Sequence, residues 1–299
     1  MDRLDAMEMV LAVVEAGSLS GAARRTGTPL ATVSRKISEL EAHLKTRLFN
    51  RSSRRIVLTD AGRTYVAACE RILEDVGEAE RAAAGEYSVP RGDLVITAPI
   101  VFGRLHVLPV VAEFLAAYPE IDIRLALSDR VAALLDDHID VGLRIGALPD
   151  SSLIALRIGM IRQIVCGSPD YFSAHGVPRK PEALAAHRCI AFEGLTPGGA
   201  WIFRNGGALT SIPVRARLSV NTAEAAIDAA LSGLGMTRVL SYQVAGALKA
   251  GSLRAVLTRY EPEPWPVSLV YLGQGRLPLK LRAFLDFAAP RLKRRLTRM

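Results

Sequence analysis

In the amino-terminal part of the chain, apolar positions recur at helical intervals. Leu4, Met7, Leu11 and Val14 fall every three or four residues, which predicts an amphipathic helix ending near Gly17. Ser18 is placed to cap a second helix carrying the small residues Ala22 and Ala23 and stopping at Gly27. Thr28 then reads as an N-cap with Pro29 at the first position of a third helix. Val33, Ile37 and Leu40 share one side of that helix, leaving Ala31, Thr32, Ser34, Arg35 and Ser38 facing outward. After Leu48 and Phe49 comes NRSSRR and then the alternating strand IVLT, the pattern of two short strands with Arg51, Arg54 and Arg55 at the turn.

From Thr59, a plausible cap, the chain runs to about Glu86 without proline. Tyr65, Cys69, Ile72, Val76, Ala79 and Ala83 form a heptad seam along it. Such a rod cannot bury its seam alone. It packs either on its own chain or on the same helix of a second copy. SVPRGD, 88–93, then reads as a hinge, after which strands and helices alternate: DLVITA, a helix from about Phe102 to Ala117, IDIRLALS, a short helix near Ala132 to Asp137, and DVGLRIG. A second unit of this kind follows Cys166, with helices near Pro181 to His187 and Ala223 to Ser232 and strands near RCIAF, AWIFR and GMTRVL. VSLVYLG returns to the first unit before a basic final helix. This rhythm predicts two α/β lobes, with ligands held at the carboxyl ends of their strands.

The residue totals sharpen this reading. At 299 residues, half of them apolar, the chain holds more than one packed unit and has a sizeable core. Its net charge of +8 is uneven: residues 1–58 hold ten Lys and Arg against six Asp and Glu, and residues 276–299 hold eight against one. The basic tail reads as a solvated helix face, with attraction to DNA as the alternative. Cys69, Cys166 and Cys189 lie far apart without metal-ligand spacing, which fits a reducing cytoplasm and argues against disulfides or a zinc site. The acidic start MDRLDAMEMV is unlike an export signal, and no run of about 18 uncharged apolar residues occurs, so a soluble cytoplasmic protein with no membrane association is expected.

Two helices meeting through a glycine turn make a helix-turn-helix, whose second helix fits the major groove of double-stranded DNA. Arg35 has the donors for guanine O6 and N7, Thr32 or Ala31 can meet a thymine methyl, and Thr28, Ser34 and Ser38 complete a polar face. Arg51, Arg54 and Arg55 would grip phosphates from a wing. The run SLSGAARRTGTPLATVSRKISELEAHLKTRLFNRSSRRIVLTDAG resembles the amino-terminal domain of LysR-type transcriptional regulators: the Ala22–Ala23 pair, Val33, Ser34, Ile37, Leu40 and Glu41, the RLF of Arg47 to Phe49, and the LT.AG of Leu58 to Gly62. It departs at Pro29 and Leu30, where the family often has Ser-Gln, and at Val10, where it often has Phe.

The resemblance implies an organisation over nearly the whole chain: a winged helix-turn-helix at 1–58, a linker and dimerisation helix at 59–87, and an effector-binding domain at 88–299. That domain would be two-lobed and α/β, similar to periplasmic binding proteins, with lobe I at about 91–166 and 268–299 and lobe II at about 167–267. It also implies a homodimer, often a homotetramer, on a pseudo-palindromic operator, with RNA polymerase as a candidate further partner. For the effector, Pro99, Ile100 and Val101 open a helix directly after a strand, where free N–H groups favour an anion. Asn221 and Thr222 hold the matching place in the second lobe, with helix capping as the alternative reading. Arg144 is placed to neutralise an acidic effector, and Trp201 either lines the cleft or belongs to the core.

No cofactor is expected. The five histidines are scattered, and HExxH, GxSxG and P-loop motifs are absent, so an enzyme is disfavoured. An exported solute-binding protein would lack residues 1–58, and an architectural DNA protein would need no ligand cleft. The expectation is an effector-controlled transcription factor.

Overall fold

The computed structural model describes residues 2–52, 55–83, 89–129, 134, 139–148, 153–273 and 277–297. The chain divides into two compact units, 1–89 and 90–299.

The first unit opens with α1 (Arg3–Ala16) and α2 (Leu19–Thr26), each ended by a left-handed glycine, Gly17 and Gly27. Ser18 caps α2 by accepting from the Gly21 amide at 3.0 Å. A third helix, α3 (Leu30–Leu44), follows. Thr28 is not its cap: Pro29 holds that place without any side-chain bond, and its carbonyl receives the Thr32 and Val33 amides. Proline's fixed φ starts the helix without help from the threonine hydroxyl.

Strands β1 (Phe49–Ser52) and β2 (Arg55–Leu58) pair antiparallel as a hairpin, and α4 (Asp60–Ala83) leaves it, capped by Thr59, whose Oγ1 accepts from the Gly62 amide at 2.9 Å. One core serves the unit, built on Met9, Val10, Val13, Val33, Ile37, Leu40, Leu48, Phe49 and Val66. Of the predicted seam, Cys69 is fully enclosed and Tyr65 half-buried, whereas Ile72 and Ala79 are exposed. The seam therefore serves its own chain at its start, while Ile72 and Ala79 further on are open to solvent and Val76 is half-buried.

The second unit contains two five-stranded sheets. β3 (Gly92–Ala98) leads into an interrupted helix: α5 (Ile100–Phe102), a π-helical turn over Gly103–Val107, and α6 (Leu108–Ala117). The expected continuous helix from Phe102 is thus longer and broken. β4 (Ile121–Leu127) and β5 (Val141–Ile145) come next, and the short helix expected at 132–137 lies largely outside the described residues. β6 (Leu153–Ile161) ends the first passage, and β7 (Gln163–Gly167) already belongs to the second sheet. The crossover at Arg162 therefore precedes the expected limit of lobe I at 166.

The second lobe continues with α7 (Pro169–His175), β8 (Cys189–Phe192), β9 (Ala200–Asn205), β10 (Ala208–Pro213), β11 (Ala216–Val220), α8 (Ala223–Leu231), β12 (Met236–Leu240), α9 (Ser241–Lys249) and β13 (Arg254–Val256). Between α7 and β8, the helix predicted near Pro181 to His187 is a 3-10 segment over Pro181–Ala186. β14 (Trp265–Leu272) and α10 (Leu279–Thr297) return to the first lobe, so the return also comes before the expected 268. The sheets run β4-β3-β5-β14-β6 and β11-β8-β12-β7-β13, while β9 and β10 form a separate hairpin.

In the first sheet β3, β4 and β5 are parallel, and in the second β8, β11 and β12 are parallel. In open α/β sheets, ligands bind outside the carboxyl ends of such parallel strands. The stretch Ile100–Ala117 is long and apolar enough to cross a bilayer by length and composition, but Arg104 and Glu113 interrupt it, and Val101, Phe102, Val107, Val110, Val111 and Phe114 are buried in the lobe core. α10 closes that core, Phe284 meeting Phe114 edge-on at 5.2 Å, and its basic end is tied down: Arg291 and Arg295 both reach Glu113, at 3.2 and 3.4 Å.

Gly62 is the tightest joint of the first unit. A Cβ there would stand 2.1 Å from the Leu48 carbonyl oxygen. Gly62→Ala should therefore destabilise the first unit by about 1 to 3 kcal/mol, which urea unfolding followed by circular dichroism would measure.

Candidate functional site

On α3 the buried stripe Val33, Ile37 and Leu40 points into the core, and the opposite side is open. At about 100° per residue, Ala31, Arg35 and Ser38 fall at the centre of the open side, flanked by Thr32 and Ser34. Ala31, Arg35 and Ser38 are exposed, and Thr28, Thr32 and Ser34 are half-buried. The predicted polar face is assembled on one surface.

Arg35 is not idle on that surface. Its side chain is 64% exposed and its Nη1 lies 2.9 Å from Glu39 Oε1, one helical turn on. Exposed pairs of this spacing stabilise by only about 0.3–0.5 kcal/mol, so a guanine edge can take the guanidinium from its glutamate. Leu30, exposed at the start of α3, adds an apolar contact that polarity-based selection passed over. Its signal was an apolar residue outside the helical stripe.

Two half-buried connections hold this helix in place. Lys36 Nζ donates to Asp5 at 2.6 Å, tying α3 to α1. Glu41 Oε1 accepts from the Leu48 and Phe49 amides at 2.8 and 3.1 Å, tying α3 to the start of the wing. Arg51 stands on β1 opposite Ile56, and Arg55 on β2 opposite Ser52, while Arg54 lies outside the described residues.

In the second unit the expected effector residues separate. Pro99 and Ile100 follow β3, but the Ile100 N–H is already bonded to Asp129 Oδ1 at 3.0 Å, and Val101 is buried. The free, anion-seeking amides expected there are thus partly occupied by a carboxylate, because the loop after β4 folds back over this helix start. Arg144 is half-buried near the end of β5, its Nη1 donating to the Leu143 carbonyl at 3.1 Å, with burial lowering its pKa. Thr222 is a helix cap, accepting from the Ala225 amide at 3.3 Å, beside exposed Asn221. Trp201 is fully enclosed among Tyr171, Phe172 and Phe203, its indole donating to Thr196 at 3.2 Å, and is a core residue and not a wall of the cleft. A large ring on the inner side of the β9–β10 hairpin fills the lobe interior.

Three rings that the sequence did not single out bridge the lobes. Phe102 and His106 of the first meet Tyr242 of the second edge-on, at 5.2 and 5.7 Å. Burial raises the Tyr242 hydroxyl's pKa, with Asp129 and Glu224 adding negative charge nearby, and Gln243 Nε2 donates to it at 3.3 Å. Nothing local in the sequence marks these residues, since α5 and α9 meet only through the fold.

His106 Nε2 is buried without a hydrogen-bond partner, and burial, with the Arg295 charge behind it, pushes the imidazole pKa down to about 4. The cysteines are free and buried, with Cys166 and Cys189 pushed up to about 12 by burial, which leaves their thiols unreactive.

Both units match known families. Residues 4–63 match the bacterial regulatory helix-turn-helix proteins of the lysR family, and residues 88–293 match the LysR substrate binding domain. An HTH-type transcriptional regulator of Xanthomonas campestris is 36% identical over 94% of this chain and 83% of its own length. The HTH-type transcriptional repressor PA14_22550 of Pseudomonas aeruginosa is 34% identical over 96% of this chain and 91% of its own. Among solved structures, the full-length Vibrio cholerae virulence activator AphB, a member of the LTTR protein family, matches with a TM-score of 0.60 at 31% identity, covering 95% of this chain and 98% of that one.

The neutral His106 makes a pH prediction. Its folded pKa of about 4 lies below the ordinary 6.5, so the unfolded chain takes up the proton first. The stability His106 allows above about 6.5 should decline as pH falls toward about 4. His106→Phe should flatten that part of the melting-temperature profile measured between these limits.

Proposed function

The chain belongs to the LysR family of transcriptional regulators, and from that premise we propose how its two units divide the work of an effector-controlled, sequence-specific DNA-binding protein. Residues 1–58 act as the winged reader, 59–87 as the linker that pairs two copies, and 88–299 as the sensor. One observation carries the reading of the first unit: the polar side of α3 is open while Val33, Ile37 and Leu40 seal its other side. Arg35 would leave Glu39 for a guanine edge, Ala31 and Thr32 would meet thymine methyls, and Thr28, Ser34 and Ser38 would complete the readout. Arg51, Arg54 and Arg55 would hold phosphates and supply affinity without base choice.

The open apolar position at Ile72 supports pairing of α4 with a second copy. A two-fold dimer, or a tetramer of two such pairs, would place two α3 helices on a pseudo-palindromic operator. RNA polymerase is the proposed downstream contact and the cytoplasm the proposed location, and we assign the chain no catalysis. The Xanthomonas, Pseudomonas and Vibrio relatives are named regulator, repressor and activator, so the family fold serves either direction of control.

The sensor would take a small molecule between the lobes, near Pro99, Ile100, Arg144, Asn221 and Thr222. Arg144 would meet an acidic group, and Asp129 and Glu224 near Tyr242 would suit a positive or hydrogen-donating one. Binding would shift a population of lobe arrangements already present.

The test separates base from phosphate contacts. Arg35→Ala should cost about 1 to 3 kcal/mol on the preferred operator and relax base choice, whereas Arg54→Ala should weaken all sequences alike and flatten the salt dependence. Equal, sequence-independent losses in both variants, measured by fluorescence anisotropy across salt concentrations, would remove readout from α3.

A further inference from the structure

Arg238 lies in the middle of β12, and only 4% of it is exposed. Across the sheet it stands opposite Val165 of β7, so its side chain shares the face on which Val165, Met236, Trp201 and Phe203 pack. Its Nη1 donates to the Ile202 carbonyl on β9 at 3.2 Å, and its Nε is buried with no acceptor at all. Of the five N–H donors that a guanidinium carries, one at Nη1 is bonded and the one on Nε is enclosed unmet. Burial lowers its pKa only to about 10, which leaves the group charged at neutral pH.

No ion pair reaches Arg238 among the described residues, and the two acids before β14 pair with other cations, Glu261 keeping one oxygen buried without a hydrogen-bond partner. Glu261 pairs with Arg162 at 3.2 Å, and Glu263 pairs with Arg204. Among the described residues, then, a full positive charge is enclosed without an anion, an arrangement that is expensive unless a counter-charge arrives from outside. A second polar group beside it is also unused. Gln163, two residues before Val165 on the same face of β7, is 4% exposed and its Oε1 is buried without a partner. Diagonal neighbours on adjacent strands stand about 7–8 Å apart, so the two side chains rise from the same face of the sheet within reach of one small group. Turning the amide over would present its NH2 to that group just as readily.

We propose that Arg238 and Gln163 hold the carboxylate of a small organic acid in a site inside the second lobe, beside the crossover at Arg162. The planar guanidinium fork matches a planar carboxylate through paired N–H···O bonds, and the amide supplies the further contact. β7 begins immediately after the crossover, so an acid bound here bears directly on the strand that enters the lobe from the hinge. Calling that acid an effector rests on the sensor reading above; the binding itself does not.

Thermal melts of the full-length protein test the site, using acetate and benzoate as probes, and acetamide, benzamide and inorganic phosphate as controls at matched ionic strength. The carboxylates should raise the melting temperature and the controls should not. In Arg238→Met the rise should vanish while the ligand-free melting temperature holds or increases, because an enclosed unpaired charge has been removed. Should that variant fail to fold, Arg238→Lys, which keeps the charge but loses the fork, should bind benzoate about tenfold more weakly. No response of the wild type to either carboxylate, an undiminished response in a variant, or an equal response to phosphate would overturn the proposal. Operator binding by the same samples reports separately: carboxylate binding without DNA binding would remove the regulatory reading and leave this site standing.

Discussion

The carboxylate of Glu41 governs the geometry of the whole first unit. It sits near the end of α3 and receives two successive amides, those of Leu48 and Phe49, from the segment that becomes the wing. Amides entering a strand and enclosed in a core must find acceptors, and an ionised one bonds them more strongly than a neutral one. The angle between α3 and the hairpin is thereby set by one side chain. The same spot anchors the linker, because Thr59 Oγ1 donates to the Arg47 carbonyl at 2.7 Å and caps α4, while Gly62 packs against the Leu48 carbonyl with no room for a methyl. α3, the hairpin and α4 meet within a few residues of Leu48, so the direction of α4 is coupled to that of α3.

Charge is handled differently in the second unit. Where the first unit pairs Lys36 with Asp5 at its half-buried edge, the second lobe encloses Arg238 on its central strand and pairs Arg162 with Glu261 and Arg204 with Glu263. At the lobe junction Phe102, His106 and Tyr242 meet as uncharged rings, with the acidic Asp129 and Glu224 close by. An apolar contact of this kind separates more readily than an ion pair held in a dry interior.

What the sequence made legible was local. Three-and-four spacing located α1 and the buried side of α3, left-handed glycines marked the helix ends at Gly17 and Gly27, and alternation marked β3, β4 and β5. What it concealed depends on partners distant in the chain. Asp129 reaches the Ile100 amide from the end of another strand, so an amide that looked free is bonded. Trp201 looked equally suited to a cleft or a core until β9 paired with β10 and folded its inner side onto the sheet. Thr28 resembled a cap because hydroxyls often serve there, but Pro29 starts the helix without one. Arg238 was an unremarked residue in a strand, and only the register shows a cation surrounded by apolar neighbours.

The π-helical turn at Gly103–Val107 gives the first lobe an unusual freedom. Such a turn accommodates one residue more than an α-helical turn, rotating everything beyond it by about 100° around the axis. The residues leading out of β3 and those of α6 that grip α10 are therefore phased independently, although they form one continuous rod. Losing or gaining a residue within this turn could re-aim the short segment after β3 while α6 kept its seat against Phe284. A lineage that carries this turn can thus retune what the segment after β3 faces by a change in length alone, leaving the scaffold behind it in register.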